Sequence, residues 1–442
     1  MPILKRLPPR VRRIARLPLI SPRLWVRRVV FWTGAMLVAT MAIGFAMLAD
    51  RASALFMQIQ APHPWIAFVV CPAGLVVAFL MTRHVFPGAQ GSGIPQVIAT
   101  QHMTDPEAIA RVLSLRVAIG KVGLTLLGLA CGASIGREGP TVQVGAAIMH
   151  ALGQILRLPR PDLVRALVLA GGAAGVAAAF NTPLAGVVFA IEELSHGFES
   201  RTSGVVLTAV IIGGITTLAL AGNYTYFGHT AAVLNLGRGW AAVALCGVAG
   251  GLAGGLFSTA LVRFASGLPG RLGHLLVRYP VVFAATCGLI IALCGLLSGG
   301  QTYGTGYEQA RSMVEGHTTL PAAYALLKFV ATVVSYISGI PGGIFAPSLA
   351  VGAGLGETLS HVLPSAPTGA VVLLGMVAYF SGVVQAPITA AVIVMEMTDN
   401  QGMTIPLLAT SFLAFGVSRL VCRRPIYAAL ARRFLDAQER RH

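Results

Sequence analysis

A chain of 442 residues that is 55% hydrophobic and 11% charged, with mean hydropathy +0.77, has too little charge to cover a soluble surface of its size and reads as a polytopic membrane protein. Much of the formal charge of +17 lies at the two ends. With no reading module for nucleic acid, that placement excludes it as a partner and points to anionic membrane lipid. Six cysteines (Cys71, Cys131, Cys246, Cys287, Cys294, Cys422) show no metal-ligand spacing and read as buried, inert thiols, so neither a metal nor a cofactor is expected.

Residues 1–28 form a basic, proline-broken arm with Lys5, Arg6, Arg10 and Arg12 among its cations, and residues 431–442 a basic tail with Arg432, Arg433, Arg440 and Arg441. Short basic segments beside spans stay in the cytoplasm, which puts both termini inside. No cleavable signal peptide is expected, because the apolar run after the arm is too long for a signal core. Val29–Leu48 and Ile66–Met81 read as the first two spans. The turn Phe86–Pro95 then delivers Ser92 to a helix start, where its hydroxyl serves either as an N-cap or as a donor to a ligand. Arg111–Ile135 reads as one long helix carrying Arg116 and Lys121.

Gly136-Arg137-Glu138-Gly139-Pro140 follows, an ionisable pair in apolar surroundings. A carboxylate at membrane depth is expensive and reads as functional. Pro140 suits a helix's first turn, the glycines let backbone approach a ligand, and a helix beginning in mid-membrane aims free N–H groups at an anion. The Gly/Ala-rich run Leu163–Phe180 suits close helix contact. A short helix, Leu184–Leu194, ends in Glu192-Glu193, one read as an exposed interfacial acid and the other as a proton acceptor near the inner face. Gly222–Gly239, with Asn223, Tyr224, Tyr226, His229 and Asn235, reads as a connector, and His229 as a loop histidine.

The second half echoes the first. Lys121 and Lys328, Gly136 and Gly343, and Pro140 and Pro347 are each 207 residues apart, while Gly171 and Gly375, Pro183 and Pro387, and Glu192 and Glu396 are each 204 apart. Such duplication is typical of transporters, with the site where the halves meet. The repeats are placed at 29–230 and 231–430. Helix starts marked by glycine or proline recur at Ser92–Pro95, Gly136–Pro140, Gly343–Pro347 and Arg424–Tyr427. One helix end supplies about 0.3–2 kcal/mol, so several must converge, with hydroxyls, to replace the water a small anion loses. Taken alone, Tyr427 reads as an interface tyrosine.

The motifs GSGIP, GREGP and GGIFAP and a late tyrosine, in this order, resemble the CLC family of chloride channels and chloride/proton exchangers, over roughly residues 29–430. The resemblance implies an all-α membrane protein of two inverted repeats with short, broken helices, a homodimer in a bacterial inner membrane, without the cytoplasmic nucleotide-sensing (CBS) domains of many relatives. It implies that Ser92 and Tyr427, with the backbone N–H groups of Ile344 and Phe345, hold chloride. Gly136, Arg137 and Gly139 would then line the anion path with backbone, Glu138 would be the outer gate, and Glu193 the internal proton acceptor. Ser92 favours chloride, since proline there in relatives goes with nitrate. Gln96 and Ile98 stand where the best-known exchanger pattern has acids. Antiport of chloride and protons is the leading expectation. The alternatives are a passive chloride channel of the same fold, a fluoride exporter, and an intramembrane hydrolase using Ser134 and His150.

Overall fold

Glycine and proline divide the apolar sequence into helices of unequal length. The computed structural model describes residues 22–156, 161–195, 200–222, 225–234, 237–317 and 320–439. The arm 1–21, Arg157, Arg160, Asn223, Tyr224, Asn235, Arg440 and Arg441 lie outside the described residues. The first half runs α1 Pro22–Gln60, α2 Ala67–His84, α3 Ile94–His102, α4 Pro106–Val112, α5 Leu115–Ala130, α6 Glu138–Ile155, α7 Pro161–Phe180, α8 Pro183–Phe189 with a π turn over Ala190–Leu194, and α9 Ser200–Ala221. The second runs α10 Ala241–Ser266, α11 Gly270–Arg278, α12 Pro280–Leu297, α13 Tyr307–Glu315, α14 Tyr324–Ile337, α15 Phe345–Ser360, α16 Thr368–Val384, α17 Pro387–Thr398 and α18 Thr404–Val421. A last helix, α19 Ile426–Glu439, takes in much of the segment read as a tail. Among the described residues, seven segments are long and apolar enough to cross a bilayer.

The one long helix expected over Arg111–Ile135 is instead two. Asp105 caps α4 through the N–H groups of Glu107 and Ala108, and the Ser114 hydroxyl accepts from Val117 N at 3.3 Å to start α5 afresh. All six cysteines are buried and free, as read.

The halves are built alike. α6 lies on α7 as α15 lies on α16, α1 meets α9 as α10 meets α18, and α5 meets α6 as α14 meets α15. At the two equivalent crossings, Gly145 faces Gly171 and Gly352 faces Gly375, and a Cβ on any of the four would strike its partner's carbonyl oxygen. This is the close helix contact expected of the Gly/Ala-rich runs. Gly375→Val is expected to cost at least about 1–3 kcal/mol by overpacking, read as a lower unfolding temperature in detergent, whereas Gly44→Val, with open space around it, is expected to leave that temperature in place. Every residue of 166–180 in α7 and of 370–384 in α16 is buried, so the two helices form the centre of the fold.

Two contacts lock the halves together. Glu192 accepts from Ile388 N (3.2 Å) and Thr389 N (2.6 Å) at the start of α17, and Glu396 accepts from Leu184 N (3.1 Å) and Ala185 N (2.7 Å) at the start of α8. Glu192 is therefore no exposed interfacial acid. It opposes the dipole of its own helix but faces the favourable end of another. The equivalent glycines Gly136 and Gly343 also meet, each donating its N–H to the other's carbonyl at 2.7 Å in antiparallel sense, which marks a local two-fold axis between the repeats.

Candidate functional site

Four helix starts converge on one buried point. Gly136 joins α6 to α15 through Gly343, and Gly91 joins the loop before α3 to the loop before α15, its N–H donating to Ile340 O and its carbonyl accepting from Gly342 N. Ser92 lies against the backbone of Gly139, where a Cβ would overlap the serine hydroxyl. Tyr427, in the first turn of α19, sets its ring 5.9 Å from that of Phe345 in α15. Phe345 is also ringed by Phe180, Phe189 and Phe380.

Ser92 makes no cap. The cap position of α3 belongs to Gly93, whose φ of +104° disfavours a side chain. The Ser92 hydroxyl and the Tyr427 phenol are both buried, and neither oxygen has a hydrogen-bond partner among the described residues. A buried hydroxyl without a partner is costly, and a bound water or ion would satisfy it. Tyr427 is thus a buried group and not one of an aromatic belt. The N–H groups of Ile344 and Phe345 open α15, where no intrahelical acceptor reaches them.

Glu138 is fully buried and turns its carboxylate back over its own helix start. Oε2 lies 3.4 Å from Ala346 N in the first turn of α15, and Oε1 accepts from the Tyr307 hydroxyl at 2.6 Å. A Cβ on Gly136 would overlap Glu138 Oε2, and Arg137 sets its Nε 3.9 Å from Oε1. Its guanidinium donates to Ala46 O and Asp50 Oδ1, both at 2.6 Å, and to the Tyr226 hydroxyl at 2.9 Å. Glu193 is buried in the π turn after α8, and its Oε1 has no hydrogen-bond partner among the described residues.

Gln96 donates to the carbonyls of Gln90 (2.7 Å) and Gly88 (3.3 Å), and Lys121 Nζ to those of Ala89, Gln90 and Gly91. Both side chains pin the loop that presents Ser92. Ile98 is buried among apolar neighbours.

Sequence reasoning missed Tyr307, and took the connector for a mere link although Tyr226 and Phe227 flank the Tyr307 ring. His229 is exposed there, as a loop histidine should be. The signal for Tyr307 was present: Gly304-Thr305-Gly306-Tyr307 echoes Gly91-Ser92-Gly93-Ile94. Each motif opens a helix of nine residues, and each loop is held by its half's lysine, Lys328 Nζ donating to Thr302 O and Gly304 O.

A family model for the voltage gated chloride channel matches residues 73–419. The chain belongs to this family, the CLC proteins. The H(+)/Cl(-) exchange transporter ClcA of Yersinia pestis bv. Antiqua (strain Angola) is 32% identical over 400 residues, which cover 85% of this CLC chain and 79% of the relative. The protein of the same name from Klebsiella pneumoniae is 30% identical over 402 residues, covering 85% and 80%. A slow cyanobacterial Cl-/H+ antiporter superposes with a TM-score of 0.78 at 24% identity, over 93% of this chain and 98% of that one. A CLC-type fluoride/proton antiporter gives 0.78 at 22%, over 92% and 98%. At these identities the structures speak for the fold, which is the CLC arrangement of two inverted repeats.

The hydrolase alternative ends here, since the relatives are transporters and Ser134 has other partners. Its hydroxyl pairs with that of Thr332 at 2.9 Å and its N–H donates to Ser335 Oγ, while His150 Nδ1 faces Leu113 O. Ser134→Ala is expected to cost about 0.5–1.5 kcal/mol of stability and to leave chloride flux in vesicles unchanged.

Proposed function

We propose that this CLC protein exchanges chloride for protons across the membrane, through a seat that chloride and the Glu138 carboxylate occupy in turn. The observation that carries this reading is the carboxylate itself, buried at the start of α15 among donors that suit any anion. Ionised, Glu138 is such an anion and fills the seat. Protonated, it loses that attraction and swings out, and chloride enters. One carboxylate thus binds either a proton or its seat, which ties the movement of protons to the opposite movement of chloride.

The inner chloride is held by the hydroxyls of Ser92 and Tyr427 and the N–H groups of Ile344 and Phe345. Several weak donors offset the dehydration of the ion without trapping it. Glu193 passes protons to the site from the cytoplasmic side. The name of the ClcA relatives supports exchange over passive conduction. We place the chain in a bacterial inner membrane as a homodimer with lipid around it and both termini in the cytoplasm. The transported ions are its ligands, and the mechanism calls for no cofactor.

The test is the reversal potential of reconstituted protein under combined chloride and pH gradients. A value displaced from the chloride equilibrium potential by the pH gradient supports antiport. A value at the chloride equilibrium potential would mean a channel.

A further inference from the structure

We propose that Tyr307 is a positioning residue that clamps the gate, its hydroxyl holding the Glu138 carboxylate in the seat and so setting the pH at which the gate opens. The inference rests on the reading of Glu138 as the group that alternates with chloride. Tyr307 O–H donates to Glu138 Oε1 at 2.6 Å, a short bond of the charge-assisted kind, whereas the backbone donor on the other oxygen lies at 3.4 Å. The hydroxyl is thus the gate's nearest donor.

The ring that carries this hydroxyl has little freedom. It stacks on Tyr226 at 4.9 Å between centroids, lies 5.3 Å from Phe227, and has the Arg137 guanidinium 5.4 Å from its centre. Its backbone is equally fixed. Gly306, with φ +85°, caps the helix that Tyr307 opens, and a Cβ there would strike Ala350 and Lys328. Lys328 holds the preceding loop by two carbonyls. A donor fixed before the carboxylate arrives loses little freedom when it bonds.

The charged and titratable groups around Glu138 are few. Arg137 Nε lies 3.9 Å from Oε1, but its guanidinium is turned to Asp50 and the Tyr226 hydroxyl. Tyr427 approaches from α19, and Lys328 from α14 behind Gly306. Of these, only Tyr307 makes a hydrogen bond to the carboxylate among the described residues.

Tyr307→Phe keeps the ring and removes the hydroxyl. A donor to the carboxylate favours its ionised, seated form, so without it Glu138 takes its proton at higher pH and leaves more readily. In proteoliposomes the variant is expected to turn over chloride about tenfold faster at neutral pH, with the pH of half-maximal turnover raised by about one unit. In a Glu138→Gln background, Tyr307→Phe should add nothing further, since no carboxylate remains to clamp. An unshifted pH profile in a variant that elutes and unfolds like the unmodified protein overturns the inference. So does a further loss of chloride flux in the Glu138→Gln background, which would make the hydroxyl a ligand of the anion. Chloride flux without proton movement in the unmodified protein would count against antiport alone, and a pH shift in the variant would still uphold the clamp.

Discussion

Liposomes carrying Glu138→Gln are expected to pass chloride but to take up no protons when a chloride gradient is imposed. Glutamine has the shape of the protonated acid and carries neither its charge nor its exchangeable proton. The side chain no longer competes with chloride as an anion, so the path stays open. Proton uptake should fall by about a hundredfold or more, to background, and the reversal potential should move to the chloride equilibrium value. The pH dependence of chloride flux should flatten, because the proposed gate has lost its ionisable carboxyl. Proton pumping that survived the change would remove Glu138 from the mechanism.

The second large effect separates two adjacent carboxylates. Glu193→Gln is expected to cut proton flux about a hundredfold while leaving chloride binding near its normal strength, because the residue is buried and contributes none of the donors proposed to hold the anion. Glu192→Ala is expected to do the reverse. It removes the acceptor for Ile388 N and Thr389 N at the start of α17, and should lower stability by about 0.5–2 kcal/mol while proton-to-chloride coupling persists in the folded fraction. Flux of both ions with each variant, beside its unfolding temperature in detergent, distinguishes the two roles. Equal loss of coupling in both would refute the division of labour.

Much of the site was legible because its chemistry is anomalous in lipid. Glu138 stands out as an acid in apolar sequence, and Ser92 and Tyr427 stand beside helix-starting glycine and proline. The repeat was legible through its punctuation, since glycines at helix crossings and turns tolerate no substitute, and spacings such as Gly136 to Gly343 persist after the apolar residues between them have drifted. Residues whose type is ordinary and whose role lies in their neighbours were not legible. A tyrosine in Gly-Tyr-Glu is unremarked in sequence, Tyr226 and the lysines Lys121 and Lys328 show there only as a connector residue and as repeat landmarks, and Ser114 lies inside the expected helix Arg111–Ile135 until it is seen to cap α5.

By itself the sequence determined that the chain is a membrane protein of two related halves, with several helix starts marked by glycine or proline and one acid among them. These follow from composition, from the period of glycine and proline, and from the cost of charge in lipid, all of which act locally along the chain. Only the tertiary structure decided which carboxylate meets which donor. It set Glu192 on α17 and Glu396 on α8, joined the Arg137 guanidinium to Asp50, and brought Tyr307 from 169 residues away onto Glu138. The physical reason is that a hydrogen bond depends on direction within a few tenths of an ångström, and that precision arises only when the two repeats close on each other about their shared axis.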